Sequence, residues 1–321
     1  MKKLLLIFTC LLQFSLIFAA SAKYESENYN LNIRYNDVIT PGDAIFVRMN
    51  ITLPKNHKKS KTEPDKKATL QLLQDKKVIE SAPFYQLKKK TGVTEMLCGI
   101  PVSLWLKEGN YSIKVIYADS DEDVKEFILP STLKMRTFPE EILHLDAKNT
   151  SIKTDNSPER AAQIDKLNTI LFTTMPSDVF SLKKFITPTE SQRYTAYCGD
   201  RRTYVYSNGK SSTSLHYGND YGVPTGTEVH ACAAGKVVMA ENRISTGWSV
   251  VVEHLPGLYS LYYHMSELSV KEGDMVNQGQ LLGKSGATGL ATGPHLHWEI
   301  RLNGSAVRPE FFLNDFTFEE D

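Results

Sequence analysis

The chain has no surplus of charge of either sign. Lys+Arg 37 balances Asp+Glu 37, which gives a net charge of +0 over 321 residues, and no lysine-rich or glutamate-rich tail is present. Nothing global therefore indicates strong electrostatic steering, and no nucleic acid partner is expected. With 41% hydrophobic and 23% charged residues, the composition is that of a globular protein long enough for two domains.

Cysteine is also scarce, with four residues, and none has the paired spacing of a cysteine zinc site. Cys10 lies in an apolar run at the N-terminus and would leave with a cleaved export signal. Cys98, Cys198 and Cys232 would then remain, an odd number that permits at most one internal disulfide. Cys198 and Cys232 could pair, but three small buried hydrophobic residues are the preferred interpretation.

Residues 1–22 have the pattern of a secretory signal peptide. Two lysines precede an apolar run from Leu4 to Phe18, and Ala20-Ser-Ala22 supplies small residues for cleavage. The run is short for a transmembrane helix, so no stable membrane span is expected after cleavage. A retained anchor and a lipoprotein are the alternatives. We therefore expect an exported protein.

Residues 23–136 alternate in strand fashion between turn signals. The runs are Leu31–Tyr35, Ala44–Met49, Leu70–Leu73 and Tyr111–Tyr117. They predict an immunoglobulin-like β-sandwich, although no Cys…Trp…Cys pattern supports a true immunoglobulin domain. A lysine-rich segment, Lys55 to Lys67, could contact anionic wall polymers, but a solvated loop is the preferred interpretation, and His57 within it is treated as incidental.

Residues 137–184 are predicted to be a linker with a helix at about 158–174. Ser157-Pro158-Glu159 is a typical helix start, with a capping residue, a proline in the first turn and an acid near the positive end. Apolar residues then recur at helical spacing: Ala161, Ile164, Leu167 and Leu171. His144, ahead of the helix, is treated as incidental.

Residues 185–321 are predicted to be an all-β domain. Of the 19 glycines in the chain, 14 lie between Gly199 and Gly293, where short strands alternate with tight turns. No convincing helix fits between the strands. The predicted strands are Glu228–Ala231, Lys236–Met239, Trp248–Val252, Leu258–His264 and His295–Arg301.

Six of the eight histidines lie between His216 and His297. His216 and Asp220 are four residues apart, and the glycines around them favour an irregular turn over a helix. His295, His297 and Glu299 share one face of a strand, because apolar residues occupy the alternate positions that face the core. Both ends of this stretch can therefore supply ligands to one metal ion.

A hydrolytic zinc site commonly has three His, Asp or Glu ligands and one open position. The available set is larger, so at least one group is expected to act beside the metal, as a proton carrier or as a stabiliser of the oxyanion. The chain has no H-E-x-x-H helix and hence no glutamate base of that type. An uncoordinated histidine is the expected substitute. Lone histidines on strands are most often structural, and His230 and His254 are left out of the site.

Two further groups have more than one interpretation. Glu299 lies on the correct face of its strand, and a role in orienting a ligand or a surface position are both possible. Arg201 and Arg202 could line a groove and bind substrate carboxylates. A surface ion pair is the alternative for these arginines.

From about Phe185 to Phe311, the chain resembles the catalytic domain of lysostaphin-type (LytM-like) zinc endopeptidases. The matching motifs, in order, are Cys198-Gly-Asp-Arg-Arg202, His216-x-Gly-x-Asp220, Pro224-Thr-Gly-Thr227, Tyr263-His264-Met-Ser266, Glu272-Gly-Asp-x-Val276-x-x-Gly279 and Gly286-x-Thr-Gly289-x-x-Thr-Gly-Pro-His295-Leu-His297. The resemblance implies a duplicated hybrid-motif β fold. Family members usually have an aromatic residue where Cys198 stands and an apolar residue where Asn219 stands, so we expect altered packing at both positions.

The resemblance also implies the roles of the site residues. His216, Asp220 and His297 would be the Zn²⁺ ligands, and His264 and His295 would be the metal-free catalytic histidines. One would help to deprotonate the attacking water while the other holds the oxyanion. The expected substrate is the peptide crosslinks or bridges of peptidoglycan, in the periplasm or cell envelope of a bacterium.

The sequence leaves two other function classes open. The resemblance also includes wall-binding regulators that have lost catalysis and activate other hydrolases, although such proteins typically lack the zinc ligands. Glu272–Gln280 is similar to hairpins of biotinyl and lipoyl carriers and of sugar-phosphotransferase domains. Lys284-Ser-Gly lacks the cofactor-lysine signature of a carrier, and a phosphocarrier would be cytosolic. A zinc endopeptidase is therefore the favoured interpretation.

Overall fold

The computed structural model describes most of the chain, namely residues 20–53, 67–90, 92–120 and 123–318. The structure is mostly β, with 49% strand and 10% helix, which confirms the predicted fold class. The chain divides into two compact units, Met1–Met135 and Arg136–Asp321. Within the described residues, no helix is both long and apolar enough to cross a membrane.

Two predicted segments fall mostly outside the described residues. Residues 1–19 include most of the predicted signal peptide, and residues 54–66 include most of the lysine-rich segment together with His57. These predictions therefore remain predictions.

The first unit contains two antiparallel sheets and one small parallel pair of strands. The larger sheet has the order β1-β2-β4-β8-β7, the smaller sheet has the order β10-β9-β5-β6, and β11 pairs with β3. The strands are β1 (Ala20–Glu25), β2 (Asn30–Tyr35), β3 (Val38–Ile39), β4 (Ala44–Thr52), β5 (Lys67–Gln74), β6 (Lys77–Pro83), β7 (Tyr85–Lys90), β8 (Val93–Pro101), β9 (Tyr111–Ala118), β10 (Val124–Leu129) and β11 (Thr132–Leu133).

Both sheets contribute to one apolar core. Burial alternates residue by residue along β2, β5 and β9, as expected for strands with one face toward a core. Ile33 and Val47 from the larger sheet and Leu70 and Val115 from the smaller sheet belong to the same buried cluster. The alternation that predicted a β-sandwich is therefore the pattern that forms its core.

Within its described residues, the second unit has three sheets, two α-helices and one π-helix. Its elements are β12 (Glu140–His144), α1 (Ala147–Thr154), α2 (Pro158–Phe172), β13 (Tyr194–Ala196), β14 (Arg201–Val205), β15 (Ser211–Leu215), β16 (Gly218–Tyr221), β17 (Glu228–His230), β18 (Gly235–Arg243), β19 (Gly247–Leu255), β20 (Leu258–Met265), β21 (Glu267–Leu268), β22 (Met275–Val276), β23 (Leu281–Lys284), β24 (Leu296–Leu302), β25 (Ser305–Val307) and a π-helix (Phe311–Asp315).

The large sheet carries two of the predicted metal ligands, Asp220 on β16 and His297 on β24. Its order is β13-β16-β24-β20-β19-β18-β22, with β25 also paired to β24. Strand β24 lies between β16 and β20, and Leu296, Trp298 and Ile300 on one face are fully buried. Two three-stranded sheets, β12-β14-β15 and β17-β23-β21, complete the unit.

Segment 137–184 differs from the linker that the sequence predicts. Strand β12 pairs in parallel with β14, with Glu141 opposite Arg202. Helix α1 follows, and the side chain of Asp146 caps it by accepting a hydrogen bond from Asn149 N. The segment therefore belongs to the second unit. A five-residue strand and an eight-residue helix are too short for their periodicity to be recognised in sequence.

Helix α2 begins as predicted and ends at Phe172. The Ser157 hydroxyl accepts a hydrogen bond from Arg160 N, and Pro158 occupies the first turn. The predicted apolar stripe is only half correct, because Ile164 is 40% exposed whereas Leu171 is buried in a cluster with residues of β18, β19 and β20. The N-terminal half contacts the sheet through polar groups instead.

Glu253 on β19 is a buried acid near the C-terminal end of α2. It is 5% exposed, and within the described residues it forms no ion pair. Burial, helped by the charge of Asp178, raises the pKa of its carboxyl to about 7, against the opposing effects of Tyr259 and Lys236. The folded state therefore holds this proton more tightly than the unfolded chain does. The resulting stability is complete below about pH 4.5 and is lost as the pH rises through about 7.

We expect Glu253→Gln to raise the thermal midpoint at pH 8 and to change it little at pH 5, because glutamine keeps the shape without the charge. The gain in the free energy of unfolding at pH 8 should be about 1–3 kcal/mol. Calorimetric scans at the two pH values measure it, with the exposed Glu190→Gln as the matched control. A loss of stability that is equal at both pH values would contradict the prediction.

Candidate metal centre

Two neighbouring strands bring His216, Asp220 and His297 together. His216 directly follows β15, Asp220 lies within β16, and His297 lies within β24. The antiparallel register places Asp220 directly opposite His297. Residues 218–221 therefore form a strand, and the predicted irregular turn is wrong. A Cβ at Gly218 would lie 2.3 Å from the Trp298 carbonyl oxygen, so glycine permits the close approach of the two strands.

The three side chains present one atom each to a common point. Among the described residues, they are the group of His, Cys, Asp or Glu side chains arranged to hold a metal ion. His216 Nε2 lies 3.1 Å from Asp220 Oδ1 and 3.0 Å from His297 Nδ1, and His297 Nδ1 lies 2.7 Å from Asp220 Oδ1. Ligand atoms around tetrahedral zinc, with bonds of about 2.1 Å, are roughly 3.4 Å apart, so the triangle is close to that of a metal site.

The tautomers of both imidazoles follow from their other contacts. His216 Nδ1 lies 2.9 Å from the Tyr197 carbonyl oxygen, and His297 Nε2 lies 2.9 Å from Glu299 Oε1. These nitrogens must therefore donate, which leaves His216 Nε2 and His297 Nδ1 as lone pairs directed at a carboxylate oxygen. Three acceptors this close to one another are stabilised by a shared cation, either a proton or a metal ion. The donor set thus fits a divalent metal, and the residues that orient it are typical of such sites.

Charged partners hold the outer oxygens of both carboxylates. Arg202 Nη2 donates to Asp220 Oδ2 at 3.0 Å, and Arg202 Nε donates to Glu141 at 3.1 Å. On the other side, Arg301 Nε donates to Glu299 at 2.6 Å. Glu299 is thus a buried partner of His297, one of the two alternatives that the sequence left open. Arg202 lines the groove, as one interpretation expected, and it is held there by ion pairs with Glu141 and Asp220.

The electrostatics of the site favour positive charge at the shared point. Burial opposes ionisation of Asp220, but the neighbouring His216 and His297 outweigh it and hold the carboxyl pKa well below its ordinary value. Burial likewise opposes a charge on His297, yet hydrogen bonds to Asp220 and Glu299 raise its pKa to about 9. The carboxylates of Asp220 and Glu299 therefore stabilise positive charge at His297. A bound metal ion would supply such a charge at the shared point.

His264 and His295 lie beside this triangle, with ring centroids 4.7 Å apart. His264 Nδ1 donates to the Thr288 carbonyl at 2.7 Å, and His295 Nδ1 donates to the Gly293 carbonyl at 2.8 Å. Both rings therefore keep a free Nε2, and that of His295 lies 3.7 Å from Asp220 Oδ1. Burial, with the neighbouring imidazoles, lowers the pKa of His264 to about 3, and burial lowers the pKa of His295.

Two glycines fix the loop that holds His264. A Cβ on Gly247, at φ 62°, would lie 2.0 Å from Thr288 Oγ1, and a Cβ on Gly289, at φ 72°, would lie 2.4 Å from Gly247 N. The two turns can approach each other only without side chains at these positions. The contact leaves the Thr288 carbonyl available to His264, which itself adopts a positive φ of 60°.

The five residues line one groove with a volume of about 500 Å³. One wall comes from the segment that the sequence treats as a linker, through Glu141, Leu143 and Leu145 near β12 and Lys153 of α1. Asn149 of α1 hydrogen bonds to the Ala291 carbonyl at 3.3 Å, which ties this wall to the loop before β24. No sequence motif predicts this wall, and none predicts Tyr197, whose contribution is a backbone carbonyl that no residue type reveals.

The remaining candidate residues lie outside the triangle. His254 is fully buried and contacts Ser260 and the Ala234 carbonyl, and His230 contacts Glu228. Neither belongs to the triangle or lines the groove. Arg201 stacks over the ring of Phe138. Asn219 is buried and bonds to Cys198 N and Glu310, so a polar network replaces the apolar packing that is usual in the family. Cys98, Cys198 and Cys232 are buried free thiols, as preferred.

Known proteins resemble this part of the chain. Residues 214–309 match the model of peptidase family M23. The DD-carboxypeptidase/endopeptidase Mpg of Neisseria meningitidis is 43% identical over 95 residues, which cover 30% of this chain and 22% of that protein. The peptidoglycan DD-endopeptidase ShyA of Vibrio cholerae is 42% identical over 92 residues, 29% of this chain and 21% of that protein. The match thus spans about a fifth of the length of these curated relatives.

A solved structure extends the likeness to the fold of most of the chain. The crystal structure of a protein assigned to peptidase M23 from Pseudomonas aeruginosa has a TM-score of 0.54 at 22% identity, over 87% of this chain and 96% of that one. Identity at this level shows the fold alone. The family match, the motifs and the relatives agree that residues 214–309 form a domain of peptidase family M23, the lysostaphin-type (LytM-like) family that the motifs predict.

Proposed function

We propose that this protein is an exported zinc-dependent endopeptidase that hydrolyses peptide crosslinks or bridges of bacterial peptidoglycan. The observation that carries the proposal is the convergence of three acceptor atoms from His216, Asp220 and His297, with two further imidazoles beside them in the same groove. Two relatives are a DD-carboxypeptidase/endopeptidase and a peptidoglycan DD-endopeptidase by name, which supports the substrate class. Because peptidoglycan lies in the bacterial cell envelope, we expect the protein to act there.

In this proposal His216, Asp220 and His297 hold the ion. When bound, zinc supplies Lewis acidity, which polarises a carbonyl and acidifies water. His264 and His295 stay neutral near pH 7, since burial lowers the pKa of both. Each has an Nδ1–H fixed on a backbone carbonyl, so its Nε2 can accept a proton from the attacking water.

The same fixed Nδ1–H bonds constrain the later step. An imidazole that has accepted a proton at Nε2 becomes a donor at that atom, and it can then stabilise the oxyanion or protonate the leaving amine. The 4.7 Å separation of the two ring centroids allows His264 and His295 to serve one scissile peptide together. The groove walls hold the peptide and limit the access of water to the site.

The test is incubation of the purified protein with cell-wall sacculi in the presence of zinc. We expect release of muropeptides, loss of release after chelation, and recovery on adding zinc. Mass spectrometry of the products identifies the bond, and metal analysis should give about one zinc per chain, the number that one triad predicts. A folded, metal-free protein that releases no muropeptides would favour the alternative function, a non-catalytic wall-binding regulator that activates other hydrolases.

A further inference from the structure

Lys153 is a cation in the wall of the groove that the catalytic proposal does not use. It lies in the last turn of α1 and lines the same cavity as His216, Asp220 and His297. Its Nζ sits 4.2 Å from the centroid of the Tyr204 ring, which also lines the cavity. The side chain is half-buried, so the ammonium group has given up part of its hydration.

Among the described residues, no carboxylate forms an ion pair with Lys153. The acids that line the groove have other cationic partners: Glu141 and Asp220 are bound by Arg202, and Glu299 is bound by Arg301. Burial, with the repulsion of Arg160 and Arg202, lowers the pKa of Lys153. The fold therefore holds a partly desolvated positive charge here without a negative group to offset the cost.

We propose that Lys153, with the ring of Tyr204, forms a subsite for a free carboxylate of the substrate peptide. The groove would then prefer peptides with an acidic group near the scissile bond over their amidated counterparts. An incoming carboxylate would complete the pairing that Lys153 lacks, in a setting where water competes poorly. This inference deepens the proposed function and rests on it. The apolar side chains of Leu143 and Leu145 on the same wall suit the remainder of a peptide.

The experiment compares two probes, diacetyl-L-Lys-D-Ala-D-Ala with a free C-terminus and the same peptide with a C-terminal carboxamide. Binding of each probe to chelator-treated full-length protein is measured by NMR titration, and cleavage of each is then measured with zinc. The variants are Lys153→Met, which keeps the apolar stem, and Lys153→Glu. Lys148→Met, an exposed lysine on the same helix, is the matched control.

We expect the wild type and Lys148→Met to bind the free acid at least about tenfold more tightly than the amide, as a charge-assisted bond to a partly buried lysine implies. Lys153→Met should bind both probes alike, and Lys153→Glu should prefer the amide. The thermal midpoint of Lys153→Met should stay equal or rise, because an uncompensated charge is removed. A purely structural role at the helix end would instead lower it.

Equal binding of the two probes by the wild type would overturn the subsite, and so would a preference that persists in Lys153→Met. The two proposals can fail separately. Cleavage of both probes at equal rates would contradict the proposed subsite, but it would not contradict the proposed peptidase activity. A Lys153-dependent preference in binding, with no cleavage of probes or sacculi in zinc, would support the subsite and count against the enzyme.

Discussion

Replacing His297 with alanine is expected to abolish stoichiometric zinc binding and to lower muropeptide release by at least about 10³-fold. The change removes one of the three converging acceptors, and it also leaves Glu299 without the imidazole that it orients at 2.9 Å. The two remaining ligand atoms, on His216 and Asp220, cannot hold the ion in a fixed position. Zinc content by atomic emission and release from sacculi measure the two effects on the same preparation.

His230→Ala is the matched control for this variant. His230 is a histidine of the same unit, on β17, and contacts Glu228 at 3.4 Å. We expect its alanine variant to keep both zinc and activity. If His297→Ala retained one zinc per chain and full activity, the assignment of the ligand triad would be wrong, and the five-residue site would have to be reinterpreted.

Replacing a metal-free histidine should give a different result, with zinc retained and kcat lowered by about 10²–10⁴-fold, the range for loss of a general acid or base. The chosen variants are His264→Asn and His295→Ala. Asparagine is used at His264 because that residue has a φ of 60°, a conformation that asparagine tolerates better than alanine does. Both imidazoles hydrogen bond to backbone carbonyls and not to the ligand atoms, so the metal triad should remain intact.

The double variant sharpens this prediction. If the two histidines act as one unit, His264→Asn combined with His295→Ala should lose little more than the worse single variant, because such effects are not additive. Metal analysis distinguishes an effect on catalysis from an effect on the metal site. Loss of zinc from His264→Asn would show that the residue supports the metal site itself, and unchanged kcat in both single variants would exclude them as proton carriers.

Much of the site could be predicted because its key residues lie on strands with strong local patterns. The alternation around Trp298 placed His297 and Glu299 on one face of β24, and the structure has the apolar residues of that strand fully buried. The spacing of His216 and Asp220 indicated a shared function, but not the strand that they occupy. That strand is short, and its glycine is explained only by the approach of the Trp298 carbonyl from β24.

The parts that could not be predicted depend on contacts between distant segments. Glu141 reaches Asp220 through Arg202, and the link requires β12 to pair with β14 some 60 residues later. Pairing of this kind has no local signature, because strand register is set by tertiary packing. The same holds for Tyr197, whose carbonyl fixes the tautomer of His216. No sequence pattern distinguishes Lys153, because its position at the groove depends on where α1 packs.

The pairing of β12 with β14 bears on where a working fragment of this protein can start. The match to the family model begins at residue 214, and the motifs begin at Cys198. A fragment that starts at Cys198 would keep Arg202 but remove its partner Glu141, and it would also remove the groove wall that Leu143, Leu145 and Lys153 form. A fragment that keeps the whole groove therefore starts upstream of Glu140, about seventy residues before the family match begins.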